Sequence, residues 1–327
     1  MSADAASARP SSVGVAGLAS IIIPNWNGSA HLPTCLRALA RQTYPHAEVL
    51  LVDNASTDDS LALVARDFPQ VRILAQARNL GFTGACNAGL RAARGEILIL
   101  LNNDTEAAPD WLAEVMAAFA RYPNAGSIAS KMLLFDRRDT LHAAGDLFRR
   151  DGMPGNRGVW QTDTGQYAEG PVFSANGGSA AYRRALLDDV GLLDDAFYFS
   201  LEDVDLGWRA QLRGWACIYA PRAVVYHKLS ATGGGVTHSY YNGRNFLYVL
   251  AKDVPGELWR KYWPRMLGAQ LRISWDALRA WRGQEARARL RGQLAGLLRF
   301  SAMLRARRPI QARRTAPLAA LEGLLDD

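Results

Sequence analysis

Within its first hundred residues the chain carries four short runs that are almost wholly apolar, and few folds can hold them. They are residues 18–24 (LASIIIP), 49–53 (VLLVD), 71–74 and 96–101 (EILILL). Too short for buried helices and without polar alternation, they read as strands covered on both faces. Pro24 stops the first, because it has no N–H to give to a ladder. Helical patterns fill the gaps at 32–42, 61–67 and 83–93. Ser56 or Thr57, followed by Asp58 and Asp59, is good N-terminal capping chemistry for the second of these. Strand and helix in alternation predict an α/β fold, a mostly parallel sheet with flanking helices.

From about residue 125 the rhythm changes. Strand-like pieces at 127–134, 170–173, 179–183, 216–219 and 223–226 alternate with Gly-rich loops and with helices at 184–190 and 203–213. No second set of βαβ units follows, so 125–250 reads as an extension of the sheet begun by 18–124, one domain over 18–250. Residues 1–17 are small and polar and are expected to be disordered. Beyond Tyr240 the pattern is helical. Trp259, Trp263, Met266/Leu267, Leu271, Trp275, Leu278 and Trp281 recur at three- and four-residue steps, with arginines between them. Residues 251–327 are therefore a basic, Trp- and Arg-rich helical extension.

Composition excludes several classes. The 327 residues are 49% hydrophobic and 21% charged, which rules out a disordered or collagen-like chain. Cys35, Cys86 and Cys217 show no CxxC spacing, against a disulfide framework or zinc finger and in keeping with a reducing cytosol. No apolar run approaches the ~20 residues that cross a bilayer, and the first residues lack a signal-peptide pattern. The expected location is cytoplasmic, soluble or peripheral on the inner face of the cell membrane. Residues 256–327 hold 15 Lys and Arg against 6 Asp and Glu, a net of +9, so the rest of the chain carries −2 of the total +7. Two readings of this tail stand open: ordinary packing on the body, or an interfacial helix pair with Trp at headgroup depth and Arg on an anionic membrane surface. Nucleic acid is not an expected partner, since no RNA- or DNA-reading module is present.

Open α/β sheets bind ligands beyond the carboxyl ends of their strands. Three such ends are polar here: Pro24-Asn25-Trp26-Asn27, Asp53-Asn54-Ala55-Ser56 and Asn102-Asn103-Asp104. The first turn, NWNGSAH, lacks the GxGxxG that shapes a helix end for a dinucleotide pyrophosphate. Asp53 can bond a ribose or base, or cap the next helix. Asp104, with Asn103 as a neutral oxygen donor, can reach a hard cation and phosphates, or simply make a turn. Further on, Glu202, Asp203 and Asp205 sit at a helix start beside Phe199 and Trp208, more acids than capping requires. Aromatic neighbours lower their solvation and lift a carboxyl toward the range useful to a general base. Tyr226-His227 closes a short strand, where a histidine serves as ligand or as structure.

In their order along the chain, SIIIPNWN, LLVDNASTDDS, RNLGFTGACNAGL, ILLNNDT, ANGGSAAYRR, FSLEDVDLGWR and Tyr226-His227 resemble the family 2 glycosyltransferases of GT-A fold, which is Rossmann-like. LLNNDT and HSYYNGRNFLYVL (238–250) are similar to bacterial rhamnosyltransferase-type members that build surface polysaccharides. The resemblance implies that Asp53 reads the pyrimidine of a nucleotide-diphosphate sugar (dTDP or UDP), with Pro24, Asn25 and Asn27 beside it. It implies that Asn79, Gly81 and Phe82 form the turn under the nucleotide. Asn103 and Asp104 stand where the family carries its DxD-type metal motif. The first acid is here an asparagine, which leaves Asp104 as the loop's only charged ligand for Mg²⁺ or Mn²⁺, with His227 to complete the set. Asp203 matches the catalytic base, and Glu202 holds a hydroxyl beside it. Gly177 and Gly178 let backbone approach the sugar, and Trp208 and Arg209 are expected at the sugar or acceptor.

The implied chemistry is one displacement: Asp203 takes the proton of an acceptor hydroxyl as its oxygen attacks the anomeric carbon, inverting the configuration. The expected donor sugars include rhamnose, and the acceptor is a saccharide or a lipid-linked one. The competing reading is a non-catalytic nucleotide-sugar- or glycan-binding module on the same fold. The catalytic reading requires Asp53, Asp104 and Asp203 to converge on one crevice.

Overall fold

The structure is a computed structural model and describes residues 14–228 and 235–327. The first half follows the apolar runs: β1 (Val15–Asn25), α1 (Leu32–Leu39), β2 (Ala47–Asp53), α2 (Ser60–Asp67), β3 (Arg72–Ala75), α3 (Gly81–Ala92) and β4 (Gly95–Leu101). Then come β5 (Thr105–Ala107), α4 (Trp111–Arg121), β6 (Ala125–Leu134), β7 (Leu141–Ala144), β8 (Asp146–Arg149), β9 (Pro154–Asn156) and β10 (Gly170–Val172). The body closes with β11 (Ser179–Arg183), α5 (Arg184–Val190), α6 (Glu202–Leu212) and β12 (Ala216–His227). The rest is α7 (Gly235–Lys252), α8 (Gly256–Arg279), α9 (Gln284–Leu298), α10 (Phe300–Ala312), α11 (Leu318–Gly323) and β13 (Leu325–Asp326).

The main sheet runs β10-β12-β6-β11-β4-β1-β2-β3, with β5 on β12 and β7 on β6. β3, β2, β1 and β4 are mutually parallel. β11 then enters antiparallel between β4 and β6, and β12 lies parallel to β6. Its alternating side chains explain the unbroken apolar runs. Ile21, Ile23, Leu51, Ile99 and Leu101 bury against Leu36 of α1 and Trp111 and Val115 of α4. Ile22, Leu50, Val52, Leu98 and Leu100 bury on the other face, against Ala85 and Leu90 of α3. Parallel β1, β2 and β4 all point their carboxyl ends to one edge, which is where the polar turns gather.

Several local expectations give way. β1 begins at Val15, inside the stretch expected to be disordered, because it is held against β4 at Gly95; residues 1–13 lie outside the described residues. Neither Ser56 nor Thr57 caps α2, whose N-cap position is Asp59 without a side-chain bond; Ser56 is turned to β1 instead. The pieces 216–219 and 223–226 are one strand, β12, whose register on β6 slips between Ala220 and Val224. Pro221 lies in that slip, where the ladder needs no N–H.

The tail is folded onto the body, and the boundary expected at residue 250 falls inside α7. Leu258, Tyr262 and Met266 of α8 join Phe148, Phe173, Trp208 and Tyr248 in a third core, and β13 completes a small sheet with β8 and β9. The tryptophans of α8 are not part of that core. Trp259, Trp263 and Trp275 are exposed, and Trp275 lies on the side of the helix away from Tyr262 and Met266. Among the described residues no helix is long and apolar enough to cross a membrane.

Candidate active site

A cavity of about 800 Å³ opens at the carboxyl edge of the sheet, between the strand-end turns, the start of α6 and the first turns of α7. One wall is a network of asparagines. Asn25, 2% exposed, donates to Asp53 Oδ1 (3.1 Å) and Ser56 Oγ (3.2 Å) and accepts from Asn103 Nδ2 (2.7 Å). Parallel pairing makes this possible, since Asn25 and Asp53 are register partners. Asn54 donates to Asn79 Oδ1 (2.9 Å) and to the Gly81 carbonyl (3.0 Å), while accepting from Leu80 N–H (2.8 Å). Gly81 has φ +75°, and a Cβ there would lie 2.5 Å from the Tyr198 ring, so only glycine fits.

A second corner holds Asp104 and His227, brought together because β12 carries His227 beside the β4–β5 turn. His227 Nε2 lies 3.2 Å from Asp104 Oδ1, and both are buried at the cavity. His227 Nδ1 meets Nδ1 of His142 on β7 at 3.1 Å, with the two rings stacked. Burial, and His227 beside it, push the His142 imidazole down to about 3, so it is neutral. Asn102 Oδ1 is buried with no hydrogen-bond partner among the described residues, and its amide nitrogen is 3.5 Å from His227 Nε2. A carboxylate, an imidazole and a free carbonyl oxygen fit a divalent cation that takes its remaining ligands from a diphosphate and water. They do not make a site alone: among the described residues no three His, Cys, Asp or Glu gather as one.

The third wall is acidic. Asp203, partly exposed, accepts from Gly177 N–H (2.7 Å) and Val204 N–H (2.8 Å). Burial lifts its carboxyl above the usual range against the pull of those N–H groups. Glu202 is buried, and burial first, then Asp203, Asp205 and Asp146, drive it well above the ordinary carboxylate range. Asp146, beginning β8, accepts from Ser174 Oγ (3.0 Å) and Asn176 Nδ2 (3.3 Å); burial and the charge of Asp203 raise it strongly too. The turn before these acids is strained, with Tyr198, Ser200 and Leu201 all at positive φ (63°, 68° and 66°). Asn245 of α7 holds it by donating to the carbonyls of Phe197 (3.1 Å), Phe199 (2.9 Å) and Ser200 (2.6 Å).

Of the residues expected from sequence, Pro24, Asn25, Asn79, Gly81, Phe82, Asn103, Asp104, Gly177, Gly178, Glu202, Asp203 and His227 line this cavity. Four are not brought to it. Asp53 lies beneath the floor, its oxygens taken by Asn25 and by Ser56 N–H (3.0 Å), so of the three acids expected to converge only Asp104 and Asp203 share the crevice. Asn27 clips the β1 turn to Thr57 N–H (2.8 Å). Trp208 is fully buried, edge-on to Phe148 and Phe173. Arg209 pairs with Asp205 (2.8 Å) and donates to the carbonyls of Val190, Gly191 and Leu192. Both positions lie about two helical turns beyond the start of α6, where the helix has left the cavity and runs through the core. Asn54, His142, Asp146 and Asn245 escaped sequence reading. Asn54 and Asn245 lie within the segments LLVDNASTDDS and HSYYNGRNFLYVL but were given no role, and His142 and Asp146 stand in stretches without motif signal.

The family model for glycosyl transferase family 2 matches residues 20–191. The chain is 27% identical over 266 residues to N-acetylglucosaminyl-diphospho-decaprenol L-rhamnosyltransferase of Mycobacterium tuberculosis, covering 73% of this chain and 86% of that protein. It is 29% identical over 230 residues to the O-antigen biosynthesis protein RfbC of Myxococcus xanthus, 65% of this chain and 17% of that longer one. Two solved structures share the fold. The mannosyltransferase PcManGT of Pyrobaculum calidifontis, in complex with GDP-Man and Mn²⁺, superposes with a TM-score of 0.55 at 19% identity over 94% of this chain and 86% of its own. S. aureus TarS 1–349 in complex with UDP-GlcNAc gives 0.57 at 18% identity over 90% of each chain.

Proposed function

The chain belongs to glycosyl transferase family 2, and from that premise we propose an inverting, metal-dependent transferase that moves a deoxyhexose, rhamnose, from a dTDP- or UDP-linked donor to a lipid-linked saccharide in bacterial surface polysaccharide synthesis. The acceptor class is supported by the rhamnosyltransferase relative, whose name states a lipid diphosphate carrying N-acetylglucosamine. The observation that carries the reading is that the Asp203 carboxylate and the Asp104–His227 corner face one cavity.

Asn25, Asn54, Asn79 and the Gly81 turn offer amide and backbone groups to the nucleotide, and Trp26, 54% exposed on the rim, offers a ring face. Asp53 fixes Asn25 rather than touching the base itself. Asp203 accepts the proton of the acceptor hydroxyl as that oxygen bonds to the anomeric carbon. The bond from that carbon to the diphosphate oxygen breaks on the opposite face, and its electron pair leaves with the diphosphate. Asp104, His227 and the Asn102 carbonyl would hold Mg²⁺ or Mn²⁺, which when bound neutralises charge building on the diphosphate. Gly177 gives Asp203 its N–H and leaves room for the sugar, since a Cβ there would sit 3.2 Å from the carboxylate.

The test is transfer from a panel of nucleotide-diphosphate sugars to a short-chain lipid diphosphate saccharide, with and without Mn²⁺, for the native chain and for Asp203→Asn. Native turnover with a loss on the order of 10²–10⁴-fold in the variant, at unchanged nucleotide affinity, is expected. Nucleotide-sugar binding without transfer to any acceptor would instead make the chain a binding module.

A further inference from the structure

We infer that the outward side of α8 is a membrane-docking face for an anionic lipid bilayer. Trp259, Trp263, Leu267, Leu271, Trp275 and Leu278 are each between 38% and 61% exposed. Leu267, Leu271, Trp275 and Leu278 lie within about 80° of one another around the helix, a patch about 17 Å long at 1.5 Å per residue, with Trp263 at its edge. Four large apolar side chains exposed side by side differ from the singly scattered ones that are ordinary on a soluble surface. Leu258, Tyr262 and Met266, on the opposite side, already anchor the helix in the third core, so the patch is surplus to folding.

Charge decides what covers it. Lys261, Arg265, Arg272 and Arg279 are exposed at steps of four and seven, a second row beside the apolar one. Lys261 and Arg265 meet Glu322 and Asp327, but Arg272, Arg279 and the following Arg282 have no ion pair among the described residues. A second copy of this chain would bring like charges together along that row. Anionic headgroups complement it, with the tryptophans at the depth of the polar–apolar boundary.

The face is mechanically joined to the cavity. Ser274 of α8 bonds Gln293 of α9 (3.1 Å), and α9 is pressed on α7 so closely that a Cβ on Gly292 would lie 2.0 Å from the Tyr240 carbonyl oxygen. The same α7 lends Thr237, His238, Asn242 and Phe246 to the cavity wall. A bilayer under α8 therefore fixes the height of the cavity above the lipid. That purpose rests on the proposed lipid-linked acceptor, whereas the binding itself does not.

Full-length protein is sedimented with phosphatidylglycerol-rich and with pure phosphatidylcholine vesicles, and tryptophan quenching by brominated acyl chains is recorded. Native protein should pellet with the anionic vesicles and be quenched. Trp263→Ser/Leu271→Ser/Trp275→Ser should lose both signals. Arg272→Gln/Arg279→Gln/Arg282→Gln should bind anionic vesicles on the order of 10²-fold more weakly, about fivefold per arginine. Both variants should keep the native melting temperature and donor affinity. Native protein that ignores anionic vesicles, or either variant binding as well as native, overturns the inference. So does a concentration-dependent dimer abolished by the serine variant in a chain that does not bind vesicles. Vesicle binding without sugar transfer leaves this inference standing and removes the proposed reaction, and soluble transfer without vesicle binding does the reverse.

Discussion

Asn245 never touches the cavity floor, yet its replacement by alanine should be felt there. The side chain is fully buried and donates to three carbonyls of the turn that precedes Glu202 and Asp203. That turn holds three non-glycine residues at positive φ, each about 1–2 kcal/mol above its relaxed conformation. The two N–H protons of Asn245, shared among those carbonyls, and the bond its Oδ1 accepts from Arg244 Nε (2.8 Å) are worth about 1 kcal/mol each, so the loss costs about 3 kcal/mol of stability. At about 2 cal/mol/K of unfolding entropy per residue, a chain of this length should then melt some 4–5 °C lower. Freed of its brace, the turn relaxes toward negative φ and carries the start of α6 with it. A shift of about 1 Å at Asp203 lowers kcat about 10²-fold. The KM for donor should stay near native, because Asn25, Asn54 and Asn79 come from other elements. Asn242→Ala, which loses one bond to this turn, from Ser200 Oγ, and an exposed contact to His238, should fall between. Initial-rate kinetics and calorimetry decide this. A variant that melts lower but turns over at the native rate refutes the positioning role, and an unchanged melting temperature refutes the hydrogen-bond accounting.

Three further outcomes follow from the site. His142→Ala should weaken Mn²⁺ binding in the presence of nucleoside diphosphate about 10–100-fold, read from the free-ion paramagnetic resonance signal. A cation at Asp104 needs the Nε2 lone pair of His227, which puts the ring proton on Nδ1, where His142 accepts it. Gly81→Ala should raise the donor KM and lower stability by about 1–2 kcal/mol, since the new methyl meets Tyr198 at a positive φ; calorimetry and kinetics measure both. Glu202 is raised in the fold above its unfolded value near 4.3, so its contribution to stability is full below that pH and is lost as pH rises through the folded value. Glu202→Gln should therefore flatten the fall of stability with rising pH across that window in denaturant titrations.

Legibility tracked how local the cause was. The apolar runs of β1, β2 and β4 were readable because burial on both faces leaves no polar position to confuse. β10 was readable to within one residue despite Pro171, whereas Pro221 split β12 into two pieces because it breaks the pattern without ending the pairing. Of the site, the strand-end residues were readable because a parallel sheet sends those ends to one edge. Trp208 and Arg209 misled because they share a motif with Asp203, while the helix that carries them turns their side chains into the core. His142 and Asp146 lie on β7 and β8, elements of four residues each in a stretch the pattern left as loop. Only tertiary pairing of β7 with β6 sets His142 beside His227. The tail was open in sequence because helical periodicity gives a stripe but not which side of it meets the body.

The three acids at the cavity's end show why composition of a motif does not assign its roles. Asp146, Glu202 and Asp203 are all lifted by burial, and the charge of Asp203 raises both of its neighbours. Three carboxylates cannot all stay ionised in so little water, so the charge settles where donors are strongest. Asp203 has two backbone N–H groups at 2.7 and 2.8 Å, whereas Asp146 has longer contacts to a hydroxyl and an amide. Glu202 Oε2 has no hydrogen-bond partner among the described residues. In the proposed reaction the negative charge belongs to Asp203, and Glu202, driven well above the ordinary carboxylate range, is the acid suited to lend a proton to a sugar hydroxyl. A carboxylate ionised only with help, and raised above its usual range, is a stronger base than one in water, which is what abstraction from an alcohol requires. The pair written Glu-Asp in the sequence is thus a donor next to an acceptor, a distinction made by Gly177 and Val204 and not by either acid.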